Sequence, residues 1–266
     1  MRENRTRTAS EPDSLTRSDS KLARPTPSRN TSIVERSFES NLPILVVNNV
    51  HRIYDGGGRA VAALRGVSFE AEPGDFIALM GPSGCGKSSL LHIVGAMDRP
   101  THGHVSLGGV SFDSLDEEAL AQLRRKKIGF VFQFFNLLPT LTVAENVALP
   151  LILDGVRQSP AGRLTDEILG RVGLADRAAH FPAELSGGEM QRAAVARAVI
   201  TRPDLILADE PTGNLDSDNG TEVMNLLAEL NRELGLSIIL ATHSPDAARY
   251  AKRAIRMQDG LIEEPA

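Results

Sequence analysis

Residues 81–88 form the feature that most narrows what this chain can fold into. They read GPSGCGKS and fit the pattern G-x-x-x-x-G-K-[ST], in which glycines let backbone N–H groups curl around phosphate oxygens. The run 75–80 before them, which is apolar after Asp75, predicts a buried strand, and the run 89–94 after them predicts the start of a helix. Since a strand, a glycine-rich loop and a helix N-terminus together make an anion site, the sequence predicts an α/β fold built around bound phosphate.

Two side chains of this loop have predicted roles in nucleotide binding. Lys87 is expected to reach the β- and γ-phosphates, and the hydroxyl of Ser88 is expected to ligate Mg²⁺. The loop residues predicted to contact the nucleotide are Gly81, Pro82, Ser83, Gly84, Cys85, Gly86, Lys87, Ser88 and Ser89.

Bulk composition excludes several classes of protein. A chain of 266 residues has room for one sizeable domain, or for a domain with a subdomain. A formal charge of −5 disfavours sequence-independent DNA binding, which needs a basic face, and we predict no nucleic-acid partner. The single cysteine, Cys85, cannot form an internal disulfide. No run reaches the roughly 18 apolar residues that cross a bilayer, so any membrane span would belong to another chain.

The first 40 residues differ in composition from the rest. Residues 1–40 are rich in Ser, Thr, Arg and Pro and lack apolar clusters, so they cannot bury enough surface to offset the entropy of ordering. We predict a disordered tail that is neither a secretory signal, which needs an apolar segment, nor a transit peptide, since acidic residues are scattered through it. Residues 42–264 are predicted to form the folded domain.

Apolar runs after residue 42 alternate with helical patterns. Continuous apolar runs are typical of parallel strands covered on both faces. Residues 141–179 are predicted to be mostly helical, with breaks at Gly155, Pro160 and Gly173, and to form an insertion between Gln133 and Ser186. The other predicted elements are strands 44–47 and 67–70 of an antiparallel sheet, a turn at 56–58, strands 128–132, 205–208 and 237–241, and a helix at 216–234.

Two acidic residues, Asp209 and Glu210, follow the apolar run 205–208. A buried strand that ends in aspartate places the carboxylate at the sheet edge where a phosphate loop also lies. Asp209 is therefore predicted to hold the Mg²⁺ shell, and Glu210 to accept hydrogen bonds from an attacking water molecule.

A second predicted anion site begins at Ser186. This serine can cap the helix that follows it, and Gly187 and Gly188 permit close approach of the backbone to an anion. The site lies roughly a hundred residues after Lys87 and has no lysine of its own. Two such devices in one chain suggest that they serve different nucleotides.

The segments GPSGCGKS, LSGGE and LILADEP together resemble the nucleotide-binding domain of ATP-binding cassette (ABC) proteins, from about residue 42 to the C-terminus. The resemblance implies a P-loop NTPase core with a RecA-like mixed sheet, an antiparallel β-subdomain and a helical subdomain at about 134–185. It also implies ATP hydrolysis with Mg²⁺. In that family two domains pair head to tail around ATP, and the LSGGE segment of one faces the γ-phosphate held by the other.

Further site residues follow from this resemblance. Ser186, Gly187 and Gly188 would act on the nucleotide of the partner domain. Gln133 would contact Mg²⁺ and signal to a membrane partner, and His243 would contact the γ-phosphate. The remaining implied residues are Asp216, which ends the segment matching the family's D-loop, and Tyr54, which matches the aromatic residue that stacks on adenine.

Three features resemble one bacterial group within the family, the ATPase subunits of macrolide export and lipoprotein release. They are the string DEPTGNLD at 209–216, the segment 134–147, and the short distance from His243 to the end of the chain. The resemblance implies a separate membrane permease, docked near the apolar segment from Phe134 to Leu141, and a peripheral position on the cytoplasmic face of the inner membrane. ATP-driven dimer closure would power export, lipoprotein release or mechanotransmission.

Three other functions remain open at this point. An importer ATPase for amino acids or ions shares all the catalytic motifs, although it normally differs around Gly213 and Asn214. A soluble ABC ATPase of DNA repair needs a long coiled coil between the two phosphate sites, which only about a hundred residues separate here. A soluble ABC ATPase of translation carries two cassettes, and this chain has one. A regulatory cassette is expected to lack Glu210 or His243, and both are present.

Overall fold

The computed structural model describes residues 42–55, 57 and 60–263. The predicted tail, 1–40, lies outside the described residues, as do Gly56 and Gly58 of the predicted turn. No helix in the described part of the chain combines the length and apolar character that crossing a bilayer requires.

Strands and helices alternate along the described residues. The strands are β1 (Leu45–Asp55), β2 (Ala60–Ala71), β3 (Phe76–Met80), β4 (His102–Leu107), β5 (Val110–Ser111), β6 (Ile128–Phe132), β7 (Leu205–Asp209), β8 (Ser237–Thr242), β9 (Arg253–Gln258) and β10 (Leu261–Ile262). The α-helices are α1 (Lys87–Val94), α2 (Glu117–Lys127), α3 (Val143–Leu153), α4 (Gln158–Arg171), α5 (Gly187–Val199), α6 (Ser217–Leu234) and α7 (Pro245–Ala248). Short 3₁₀ turns occupy Phe112–Ser114, Ala175–Arg177 and Pro182–Glu184.

The central sheet has the strand order β10-β9-β3-β8-β7-β6. Its neighbouring strands are parallel, except that β10 runs antiparallel to β9. Strands β3, β7 and β8 are buried along nearly their whole length, as their continuous apolar sequences predict. The carboxyl ends of the parallel strands meet at one edge of the sheet, which is where sheets of this kind bind ligands.

The two faces of the central sheet pack against different hydrophobic cores. Along β8, Ile238 and Leu240 belong to the core shared with α3, α4, α5 and α6. Ile239 and Ala241 belong to the core shared with α1 and the second sheet. This alternation follows from the two-residue repeat of a β-strand. The central sheet is therefore packed on both faces, and this packing fixes the edge at which the parallel strands have their carboxyl ends.

The second sheet is antiparallel, with the order β2-β1-β4-β5. Its residues Leu45, Val47 and Leu64 pack in the same core as Leu90 and Leu91 of α1. Helices α3 and α4 lie in the sequence between β6 and α5. The mixed central sheet, the antiparallel sheet and the helical insertion confirm the predicted fold class, a P-loop NTPase core.

One local prediction is wrong, because Pro160 does not break the helical region. It lies in the first turn of α4, where backbone N–H groups have no acceptor within the helix and proline is tolerated. The predicted breaks at Gly155 and Gly173 are confirmed. These glycines follow the ends of α3 and α4 with φ of +80° and +69°, a conformation that glycine adopts readily.

Candidate nucleotide-binding site

The glycine-rich loop lies between β3 and α1, in close contact with two other strands. A Cβ atom on Gly86 would lie 2.5 Å from the carbonyl oxygen of Ala63 in β2, and one on Gly81 would lie 2.2 Å from that of Met257 in β9. Gly86 also has φ of +109°, which residues with a side chain rarely adopt. The glycine pattern therefore reflects tight packing of this loop as well as its curvature.

Lys87 is held close to the loop from which it comes. Its side chain is 7% exposed, and Nζ donates hydrogen bonds to the carbonyl oxygens of Gly81, at 2.8 Å, and Pro82, at 3.2 Å. Nζ also lies 4.0 Å from Oε1 of Glu210. A desolvated ammonium group in this position interacts strongly with any anion that enters the loop.

A cleft of about 610 Å³ opens over the loop at the carboxyl edge of the central sheet. It brings together residues from five separate parts of the sequence, because the parallel strands end at the same edge. The residues that line it are Ala63, Pro82, Ser83, Gly84, Gly86, Lys87, Ser88, Ser89, Gln133, Asp209, Glu210 and His243. All of them except Ala63 were predicted from the sequence to belong to the site.

Asp209, the last residue of β7, presents a partly buried carboxylate with unused hydrogen-bonding capacity. Its Oδ1 atom is buried and has no hydrogen-bond partner among the described residues. Burial raises the pKa of Asp209 above its usual value, while a hydrogen bond from Ser88 opposes that shift. An unpaired buried oxygen beside a hydroxyl is the kind of donor set that Mg²⁺ takes in phosphate sites. The residues present here therefore fit a magnesium ion.

Glu210 follows β7 in a strained conformation. Its φ is +47°, which costs roughly 1–3 kcal/mol for a residue other than glycine. Oε1 lies 2.9 Å from Nδ1 of His243, and the hydroxyl of Thr242 donates to Oε2 at 3.4 Å. The strained turn thus places the Glu210 carboxylate between His243, which follows β8, and Lys87.

Gln133, directly after β6, is held against the turn at 213–214. Its Nε2 donates to Oδ1 of Asn214 at 3.3 Å, and Nδ2 of Asn214 donates to the carbonyl oxygen of Gln133 at 3.0 Å. A Cβ on Gly213 would lie 2.8 Å from Gln133 Nε2. The glycine and asparagine of the string DEPTGNLD therefore contact Gln133, a pairing that the sequence analysis did not predict.

Tyr54 is not among the described residues that line the cleft. Its hydroxyl donates to Oδ2 of Asp98 at 3.0 Å, and the guanidinium of Arg52 stacks over its ring at 4.5 Å from the centroid. Gly81 and Cys85 are also absent from the lining, because Gly81 packs under β9 and the Cys85 side chain is buried.

The second predicted anion site, at the N-terminus of α5, does not line the cleft either. Ser186 caps the helix: Oγ accepts from the backbone N–H of Glu189 at 3.2 Å, and the Glu189 carboxylate accepts from the N–H of Ser186 at 2.8 Å. These bonds, with one from Arg177, lower the pKa of Glu189 to about 2. Ser186 itself is exposed.

Gly188 and Asp216 are linked through Asn219 of α6. A Cβ on Gly188 would lie only 2.0 Å from Oδ1 of Asn219. Asp216 caps α6, accepting from the backbone N–H of Asn219 at 2.9 Å and from its side chain at 2.6 Å, and these bonds lower the pKa of Asp216. Gly188 therefore permits close packing of α5 on α6, in addition to the anion approach predicted from the sequence.

Gln191 is a site-supporting residue that the sequence analysis missed. Its side chain is fully buried, and Nε2 donates to the carbonyl oxygens of Phe132, at 3.2 Å, and Pro211, at 2.7 Å. These are the residues next to Gln133 and Glu210. The available signal was an uncharged polar residue on the apolar face of α5, in line with Ala194 and Val195 at helical spacing.

The loop, the paired carboxylates and the histidine define a P-loop ATPase. The family described as ABC transporter matches residues 64–213, which is more than half of the chain, and the chain belongs to that family. It is an ATP-binding and ATP-hydrolysing subunit of the ABC type, as the resemblance of its motifs implied.

Named relatives cover most of the folded part of the chain. The lipoprotein-releasing system ATP-binding protein LolD of Geobacter metallireducens is 47% identical over 219 residues, which are 82% of this chain and 97% of that protein. The macrolide export ATP-binding/permease protein MacB of Chlorobium luteolum is 48% identical over 220 residues, 83% of this chain and 33% of that longer protein.

A solved structure also matches along nearly its whole length. The ATP-binding cassette MJ0796, in a dimeric post-hydrolysis state bound to ADP and phosphate, is 42% identical, with a TM-score of 0.77 over 83% of this chain and 97% of that chain. The chain is thus similar to an ATP-binding cassette that has been solved as a dimer with ADP and phosphate bound.

Proposed function

We propose that this chain hydrolyses MgATP in a head-to-tail dimer and thereby powers export, lipoprotein release or mechanotransmission through a separate membrane permease. The observation that carries the proposal is the cleft in which Lys87, Ser88, Gln133, Asp209, Glu210 and His243 meet. The similarity to LolD along nearly the whole of that protein supports the export-type assignment. We assign residues 42–264 to one nucleotide-binding domain, with a helical subdomain at about 134–185.

Ser88, Gln133 and Asp209 would hold the magnesium ion. Oδ1 of Asp209 has no hydrogen-bond partner among the residues that the structure describes, which supports this role, because a buried carboxylate oxygen without a partner is stabilised most by a cation. The bound ion would neutralise part of the charge on the β- and γ-phosphates.

The other residues of the cleft would divide the work of hydrolysis. Lys87 and the loop N–H groups would bind the phosphates, for which Lys87 would exchange its bonds to the loop carbonyls. Glu210 would orient and polarise the attacking water molecule. His243 would hold the γ-phosphate while its contact with Glu210 keeps the carboxylate in place.

A second domain, either another copy or a close relative, would complete each site. Ser186, Gly187 and Gly188 lie outside the cleft of their own chain, and exposure of Ser186 supports a role toward the partner's ATP. Asp216 would lie at the same dimer contact. Adenine would stack on the face of Tyr54 that is opposite Arg52.

The segment 134–141 would receive the permease at the cytoplasmic face of the inner membrane. Phe134 is 72% exposed and Leu138 is 44% exposed. Buried Asn146 fixes the backbone of the second half of this segment, accepting from the N–H of Leu138 at 2.7 Å and donating to the carbonyl of Leu141 at 3.0 Å. Exposed apolar side chains on a fixed backbone suit a docking surface, because little entropy is lost on binding.

Phosphate release by the Glu210→Gln variant tests the catalytic assignment. We expect ATP binding to persist and turnover to fall by at least about 100-fold, since one essential base is lost, with an ATP-dependent dimer accumulating on a sizing column. Glu229→Gln, at an exposed site on α6, is the matched control. Hydrolysis by Glu210→Gln at the wild-type rate would sink the assignment.

Purification of tagged Glu210→Gln chain from ATP-treated membranes tests the coupling. Recovery of a permease with few spans and a large extracytoplasmic domain supports the proposal, whereas a many-span permease with a binding protein would make the chain an importer ATPase. Recovery of soluble or nucleic-acid partners alone contradicts it. Phe134→Asp should lose the permease, while Leu261→Asp, at an exposed apolar site on β10, should keep it.

A further inference from the structure

The segment 132–136, which carries Gln133, is attached to α5 at both of its ends. At one end, buried Gln191 donates to the carbonyl oxygen of Phe132 at 3.2 Å. At the other end, the guanidinium of Arg197 donates to the carbonyl oxygens of Phe135, at 2.8 Å, and Asn136. Side chains of one helix therefore donate hydrogen bonds to the backbone on either side of Gln133.

The guanidinium of Arg197 donates its hydrogen bonds to backbone carbonyl oxygens and is partly shielded from water. Its side chain is half-buried in α5, and burial lowers the pKa of its guanidinium. The planar fork of an arginine can bind two neighbouring carbonyl oxygens at once, which a lysine ammonium does less well. The contact thus fixes an orientation as well as a distance.

The backbone that Arg197 grips has an unfavourable conformation. Phe135 and Asn136 have φ of +60° and +50°, and two successive residues with side chains seldom share the left-handed region. Such a turn persists only where surrounding contacts impose it. The ring of Phe135 lies near the start of the same helix, where a Cβ added to Gly187 would come within 3.9 Å of its Cζ atom.

We infer that Arg197 is a positioning residue for Gln133, because it holds the strained turn at 135–136 on the helix that begins after Ser186. This inference rests on the proposed function, in which Gln133 serves the nucleotide of its own chain and Ser186 that of the partner. Because both are attached to α5, Gln133 and Ser186 move together. Arg197 is not among the described residues that line the cleft, and it acts through the backbone of its two acceptors.

Steady-state ATP hydrolysis and hydrogen exchange of the nucleotide-free chain together test the inference. Arg197→Met removes the donors and keeps a long apolar side chain. We expect kcat to fall by about 10-fold or more while KM for ATP stays within about threefold, because Lys87 and its loop are untouched. Exchange of the amides of 134–136 should rise in the same variant.

The matched control is Arg171→Met, which removes an exposed ion pair to Glu233 on α6 and should change neither readout. Arg197→Lys keeps the charge, and it should show a smaller loss of kcat and a smaller rise in exchange. If Arg197→Met does not fold, Arg197→Lys alone is used to test the inference. Asn136→Gly placed in the Arg197→Met or Arg197→Lys background should restore part of kcat, since glycine adopts positive φ without strain.

Several results would overturn the inference. A folded Arg197→Met variant with wild-type kcat would do so, as would a loss confined to KM or a loss of kcat without a change in exchange at 134–136. Absence of ATP hydrolysis in the wild-type chain would instead overturn the proposed function, so the two failures are distinguishable.

Discussion

Helix α1 follows Gly86 and helix α5 begins with Gly187 and Gly188, so both N-termini suit phosphate, yet their polar groups are satisfied in opposite ways. No side chain caps α1 in the described structure, and its cap residue is Gly86. Ser186 and Glu189 form a complete capping box on α5. The nearby carboxylates differ accordingly, because burial raises the pKa of Asp209 while hydrogen bonds lower that of Glu189.

The site at α1 therefore has polar groups that a ligand would satisfy, whereas the N-terminus of α5 is satisfied without a ligand. Within the described part of the chain, Asp209 keeps one oxygen without a hydrogen-bond partner and Lys87 binds its own loop, so the cleft is stabilised when a cation and phosphates bind. Ser186 and Glu189 already satisfy each other. A partner's nucleotide would therefore meet a preformed surface at α5, at little cost in ordering.

Lys87→Ala should give the largest effect, and it acts only on the α1 site. Loss of the desolvated ammonium group should weaken ATP binding by about 100-fold, in the range for a charge pair of this kind. Titration with a fluorescent ATP analogue measures the change. Lys126→Ala, at an exposed residue of α2 paired with Asp154, is the control, and unaltered affinity in Lys87→Ala would remove the phosphate role.

Two substitutions of Ser186 should separate the stability of α5 from its action on the partner. Ser186→Asp keeps a good cap but places a negative charge toward phosphate, so the ATP-dependent dimer of the Glu210→Gln variant should disappear with little change in unfolding free energy. Ser186→Ala should lower the unfolding free energy by about 1 kcal/mol. Light scattering and urea unfolding report the two quantities, and an intact dimer in the aspartate variant would contradict the trans assignment.

Asp209→Asn should stabilise the nucleotide-free protein at pH 7. A raised folded-state pKa means that the folded chain binds the proton more tightly, so stability declines as pH rises above the usual carboxyl value of 3.8. Asparagine removes that charge. We expect Tm to rise by about 2–4 °C and the further rise on adding MgATP to shrink. A lower Tm of the nucleotide-free Asp209→Asn variant than of the wild type would show that burial of the Asp209 carboxylate does not destabilise the fold.

Glu189→Gln should give the smallest effect, with the opposite dependence on pH. The pKa of Glu189 falls from 4.5 to about 2 on folding, so its contribution is present above pH 4.5 and is lost as pH falls toward 2. Glutamine can still complete the capping box, and solvent screens the half-buried carboxylate, so the loss at pH 7 should stay below about 1 kcal/mol. A stability difference from wild type that does not narrow in acid would contradict the assigned cause.

Local rules predicted the elements whose sequence pattern is complete within a few residues. The strand at 128–132 and the phosphate loop are examples, since apolar runs and glycine spacing act over short range. Strand β9 was not predicted, because only Ile255 and Met257 in it are buried and its other residues are polar or small. Pro160 shows the same limit, since its effect depends on where the helix starts.

The sequence by itself determined the chemistry of this protein: a phosphate loop, an acidic pair after a buried strand, a capped glycine-rich helix start, and their order. Tertiary structure alone decided that Gln133 pairs with Asn214, that Gly188 packs on Asn219, and that α5 grips the segment around Gln133. These contacts join residues that are far apart in the chain. They depend on how helices pack on the sheet, which residue spacing does not encode.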